Sequence, residues 1–135
     1  MLKTRIIATF IVLFAFIFNN LHATPLPRAV GDKIIATLKK LNGTVVYAQV
    51  GDFNCTLHGE FNEGFDENAP DRYFLEYVGL NPRNSFKTLD IPIHPPKAGP
   101  YESSGFFGCI EGFTGANITI YKDDTVLDSA IFVKE

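Results

Sequence analysis

The residues that could do chemistry are few and scattered. Beyond residue 23 the chain carries two histidines, His58 and His94, and two cysteines, Cys55 and Cys109. Its carboxylates gather in two places: Glu60, Glu63, Asp66, Glu67 and Asp71, and further on Asp123, Asp124 and Asp128. A hydrolytic triad needs a nucleophile, a base and an orienting acid. Ser103, Ser104 and Ser129 qualify by type, but none stands in a G-x-S-x-G turn, and Ser103-Ser104 reads as loop. No carboxylate spacing selects a general acid and its base. We therefore assign no catalytic residue and expect a protein that is not an enzyme. The first acidic group has the hard oxygen donors that calcium prefers, yet it lacks the EF-hand spacing and reads as a solvated loop. Asp123-Asp124 reads as a hairpin turn. No metal ligand and no cofactor are assigned.

The cysteines carry a different chemistry. Lys3 and Arg5 precede an apolar run from Ile6 to Phe18, and Leu21-His22-Ala23 ends on a small residue. That is the layout of a secretory signal peptide over residues 1–23. The run is shorter than the roughly 20 apolar residues a membrane span needs, so no stable membrane anchor is expected. In an oxidising, extracellular compartment two lone cysteines default to a disulfide, Cys55–Cys109. Closing a loop of about 55 residues contributes about 4 kcal/mol on loop-closure entropy. The chain has 12 basic and 15 acidic residues, and losing Lys3 and Arg5 makes it more acidic still. That balance disfavours nucleic acid and anionic membranes as partners.

Three further patterns bear on binding. Asn42-Gly43-Thr44, Asn54-Cys55-Thr56 and Asn117-Ile118-Thr119 match the N-glycosylation acceptor, which makes Asn42, Asn54 and Asn117 candidates in a eukaryotic protein. Phe106, Phe107 and Phe113 lie in a glycine-punctuated stretch that could form an apolar lip for a lipid tail or a partner, or simply pack in the core. Pro92-Ile93-His94-Pro95 is formally a P-x-x-P segment, but a stiff connection between strands explains it better.

The elements that must position these residues follow from periodicity. Residues 24–43 read as a Pro-rich leader and a short helix: Asp32 can cap it, Ile34, Leu38 and Leu41 share one face, and Asn42-Gly43 stops it. From Thr44 the period becomes two. Strands are expected at 44–50, 54–61, 72–78, 86–93, 105–110, 116–121 and 126–133, with a stiff crossover through Pro95, Pro96, Gly99 and Pro100. Along the second of these, Cys55, Leu57, Gly59 and Phe61 face inward. Beyond residue 23, nine Phe and five Tyr supply ample core. The fold expected over 44–135 is all-β, a small antiparallel β-sandwich of about seven strands with a short N-terminal helix and one disulfide.

The stretch T-V-V-Y-A-Q-V followed by C-T-L-H-G-E-F-N-E-G-F resembles the opening hairpin of several secreted β-sandwiches. Over residues 44–80 the chain is similar to small secreted fungal proteins of unknown role, and to the first strands of copper/zinc superoxide dismutase and chordin-type sandwiches. The dismutase resemblance implies metal-binding histidines near residues 72–79. Here Tyr73-Phe74-Leu75-Glu76-Tyr77 has none, so the resemblance implies shape and not redox activity. The function expected is that of a secreted, non-catalytic binding or surface-interaction module for an unknown extracellular partner. The alternative is a lipid carrier holding an acyl chain between its sheets, with Phe106, Phe107 and Phe113 at the mouth.

Overall fold

The structure is a computed structural model that describes residues 30–106 and 108–135. The signal peptide expected over residues 1–23, the expected leader up to residue 29 and Phe107 lie outside the described residues.

Alternation decides the frame. Thr-, Val- and Tyr-rich segments with every second side chain apolar cannot bury a helical stripe, but they do fill one face of a pleated strand. Strand β2 (Gly43–Gln49), β3 (Cys55–Phe61) and β4 (Tyr73–Tyr77) each alternate between buried and half-buried residues along their whole length. The chain continues through two short strands, β5 (Asn84–Ser85) and β6 (Ile93–His94), and the long β7 (Lys97–Phe106). A one-turn helix, α1 (Cys109–Phe113), precedes β8 (Asn117–Lys122), β9 (Thr125–Ile131) and β10 (Val133–Lys134).

The expected N-terminal helix is instead the strand β1 (Lys33–Leu38). Ile34, Ala36 and Leu38 are fully buried, so the segment obeys a period of two as well as the helical one. Tertiary pairing decides between the two periods. β1 bonds in register with β2, from Lys33 opposite Ala48 to Leu38 opposite Gly43, and β10 covers its other edge. Asn42, at φ 45°, closes the β1–β2 turn where it was expected to end a helix. Leu41 still reaches the core from that turn, 2% exposed.

All strand pairs are antiparallel, in two sheets of order β10-β1-β2-β3-β7-β6 and β5-β4-β8-β9. The buried faces of both form one core, so the sandwich expectation holds as a two-sheet architecture with more and shorter strands. β9 belongs to the second sheet, and past the buried Phe132 the chain joins the first as β10.

The strand expected over 86–93 is absent. Thr88 N–H donates to Ser85 Oγ (3.1 Å), Leu89 N–H donates to Ser85 O (3.1 Å), and Asp90 turns at φ 55°. Serine side chains offer the backbone such local partners in place of a ladder. Leu89 is consequently 38% exposed, while Ile91 and Ile93 stay in the core. The proline-rich crossover is a hairpin: Pro95-Pro96 fill the two-residue connection between His94 and its partner Lys97, where a missing N–H costs no ladder bond. The strand expected over 105–110 stops at Phe106, because Gly105 (φ 88°) and Gly108 (φ 63°) take left-handed conformations and Cys109 opens α1. The disulfide joins Cys55 to Cys109, with Cα atoms 6.3 Å apart and both residues buried.

Candidate functional site

A cavity of about 270 Å³ lies between the sheets. Alternation alone delivers four of its walls: Tyr47 from β2, Leu57 from β3, and Leu75 and Tyr77 from β4 occupy inward positions. The contribution of β7 depends on two irregularities. Ala98 pairs with Phe61 and Tyr101 with Gly59, so two steps on β3 match three on β7. That extra residue, at Gly99-Pro100, returns Tyr101 to the inner face when plain alternation from Ala98 would direct it out. A second extra residue, Gly105, lets Phe106 stand opposite Cys55 on the inner face. Phe113 of α1 completes the lining and stacks on Tyr47, ring centroids 4.7 Å apart and planes 6° apart.

Gly59 is needed beneath Tyr101. A Cβ placed on Gly59 would overlap the Tyr101 ring and hydroxyl. Tyr101 also stacks on Phe61 at 6.3 Å, which ties the cavity to an aromatic cluster of Phe61, Phe65, Tyr73 and Phe86. A second cluster of Tyr47, Tyr77, Phe113 and Phe132 closes the other side.

Three tyrosine hydroxyls bring polarity into this apolar interior. Tyr47 Oη donates to Tyr77 Oη at 3.0 Å. Tyr101 Oη is buried and has no hydrogen-bond partner among the described residues. Burial pushes the Tyr101 hydroxyl well above its usual value, and the nearby Tyr77 adds to the shift. Burial also raises Tyr47, reinforced by Tyr77, and raises Tyr77 against the opposing bond from Tyr47. All three are neutral hydroxyls at physiological pH. The one charged residue in the lining is Glu102, and its carboxylate lies 3.3 Å from His58 Nδ1 on the outer face. Asn81, Asn84, Leu89 and Ser103, none of them buried, form the rim.

The structure brings together two members of the expected lip, Phe106 and Phe113, and places them on this cavity. The third, Phe107, lies outside the described residues. Of the triad candidates, His58 pairs with Glu102, and Ser104 stands opposite Thr56 on the same exposed face, two residues along β7 from Glu102; His94 is exposed in β6 and Ser129 in β9. The Asp66 and Glu67 carboxylates of the acidic loop are solvent-exposed and ion-paired. Asp66 accepts from Tyr73 Oη (2.6 Å) and Lys122 Nζ (2.7 Å), and Arg72 ties Glu67 to Asp123. The bond from Lys122, then that from Tyr73, holds the Asp66 carboxyl down at about 2. No group of three or more His, Cys, Asp or Glu among the described residues is arranged to hold a metal ion. Asn42 and Asn54 are exposed, whereas Asn117 is half-buried and accepts from Thr119 Oγ1 at 3.1 Å.

Tyr47, Tyr77 and Tyr101 are the site residues that sequence reasoning missed. The inward direction of the first two was legible in the alternation of their strands. Nothing in the stretch around Tyr101 signals its direction, because the extra residue that sets it shows only in the pairing with β3. A comparison with protein-family models finds no match for this chain, and a comparison with curated proteins finds none either.

Proposed function

We propose that the protein is a secreted, non-catalytic binding module that receives a small, mainly apolar molecule between its sheets. The observation that carries this reading is the cavity of about 270 Å³ walled by Tyr47, Leu57, Leu75, Tyr77, Tyr101, Phe106 and Phe113. Apolar and aromatic walls with a few polar groups at an open rim are the usual make-up of a small-molecule site. The disulfide suits an oxidising compartment, and no helix among the described residues is long and apolar enough to cross a membrane. The position of Phe106 and Phe113 also favours the related reading of an acyl-chain carrier. Size sets the limit there: ligand pockets run from about 300 to 1,000 Å³, and this one lies just below that range. A compact ligand or a short chain fits better than a long lipid.

Titration of the oxidised protein with toluene, followed by the methyl resonances of Leu57 and Leu75, tests the site. Saturable shifts at both leucines are expected, as an apolar protein cavity takes up small aromatics. Resonances that stay put at millimolar toluene would remove the cavity as a binding site.

A further inference from the structure

The polar groups that a ligand can reach are gathered at the mouth of the cavity, and they narrow its chemistry. Between the sheets the walls are apolar, with Leu57, Leu75, Phe106 and Phe113. At the rim stand Ser103 on one side and Asn81 and Asn84 on the other. Ser103 owes its direction to register. It lies opposite the inward Leu57, while its neighbours Glu102 and Ser104 lie opposite His58 and Thr56 on the outer face. Its hydroxyl therefore sits on the cavity side of β7, in an exposed residue. Across the mouth, Asn84 belongs to β5 and Asn81 to the loop that leads into it.

These groups are open to a ligand and neutral. Among the described residues, neither Ser103 Oγ nor the Asn81 amide has a hydrogen-bond partner, and Asn84 uses only its Nδ2, which donates to Pro82 O at 3.1 Å. The rim thus offers a hydroxyl and an amide that can each donate and accept, and a further amide oxygen that accepts. No Lys or Arg lines the cavity, and the Glu102 carboxylate is directed to His58. A charged head at this mouth would give up hydration without gaining a counter-ion. A head with several hydroxyls meets both senses of bond.

We infer that Ser103, Asn81 and Asn84 form a polar collar for a neutral amphiphile, with a compact apolar body between the sheets and a hydroxylated head at the mouth. This rests on the reading of the cavity as a binding site and adds the chemistry and orientation of its occupant. Only the body needs room inside. An apolar cavity of about 150 Å³ already takes up benzene, so about 270 Å³ accommodates a ring or a short chain.

The test compares benzyl glucoside, toluene and phenylacetate on the oxidised wild-type protein and on the double variant Asn81→Ala/Ser103→Ala, reading dissociation constants from the Leu57 and Leu75 methyl shifts. Both substituted residues are exposed, so the melting temperature should stay where it is. On the wild type the glucoside should bind more tightly than toluene, and the anionic phenylacetate more weakly than the glucoside. Losing two hydrogen bonds at a solvated rim corresponds to about 5–30-fold in affinity. The double variant is expected to weaken the glucoside by that factor and to leave toluene within about twofold. Equal glucoside affinity in the two proteins, with toluene bound to both, overturns the collar while the cavity stands. A wild type that takes up toluene and not the glucoside overturns the hydroxylated head, whatever the variant does. Phenylacetate bound as tightly as the glucoside overturns the restriction to neutral heads. If neither toluene nor the glucoside binds the wild type, the binding reading itself falls.

Discussion

Tyrosine is the residue on which the interior of this protein turns. Tyr47, Tyr73, Tyr77 and Tyr101 all have hydroxyls raised above their ordinary value, with burial as the first cause in each. A group raised in the folded state binds its proton more tightly there than in the unfolded chain. Its contribution is complete below the unfolded value of about 10 and is lost as pH rises beyond it, because unfolding then releases protons. We therefore expect stability to fall steeply above about pH 10. In an alkaline titration, tyrosinate absorbance at 295 nm from these four residues should appear together with the loss of the β-sheet circular-dichroism signal. Full tyrosinate absorbance with the sheet signal intact would contradict the burial described here. At this scale the sequence was partly legible. The inward side of β3, from Cys55 to Phe61, was readable from alternation, and all of it is buried. The strand expected over 86–93 failed because Ser85 organises a turn that competes with it, which leaves Leu89 exposed.

Among the elements, the β1–β2 turn depends on a residue far away in sequence. Asp128 of β9, 7% exposed, accepts from Lys40 N–H (2.8 Å) and Leu41 N–H (3.2 Å) through Oδ2, and from Ser129 N–H through Oδ1 (2.8 Å). The carboxylate thus fixes the turn of one sheet from a strand of the other. Hydrogen bonds to a charged group contribute about 1.5–3 kcal/mol, and truncation would also leave the two turn amides without their partner. Asp128→Ala is expected to cost about 2–3 kcal/mol in urea unfolding, with Asp128→Asn recovering part of it. A loss under about 0.5 kcal/mol, the ordinary range for surface substitutions, would show that the turn holds itself. None of this could be read from the sequence, where Asp128 looked like the third member of an acidic group beside a hairpin. Asp123 and Asp124 do form that hairpin turn, between the paired Lys122 and Thr125. The error over β1 has a related origin. Its residues satisfy two periods at once, and the pairing that decides between them, with β2 on one edge and β10 on the other, shows only in the folded chain.

Across the whole molecule, composition and cysteine count carried further than local pattern did. The all-β class and the Cys55–Cys109 bridge followed from aromatic content, alternation and the pairing of two lone cysteines, and both are present. The cavity did not follow, because it is a property of how two sheets meet and of the extra residues in β7. The passage of the chain from β9 through Phe132 into β10 was equally hidden, since residues 126–133 read as a single strand. That passage has a consequence for solubility. The short C-terminal segment covers the outer edge of β1, pairing Ile34 with Lys134 and Ile35 with Val133. Removing residues 133–135, with Phe132 kept in the core, would bare a row of main-chain donors and acceptors beside Ile35, the kind of border along which copies of a protein zip together. Such a truncated chain should leave the monomer peak in size-exclusion chromatography and bind thioflavin T on standing. A shortened protein that stays monomeric would mean that some other part of the structure guards that flank.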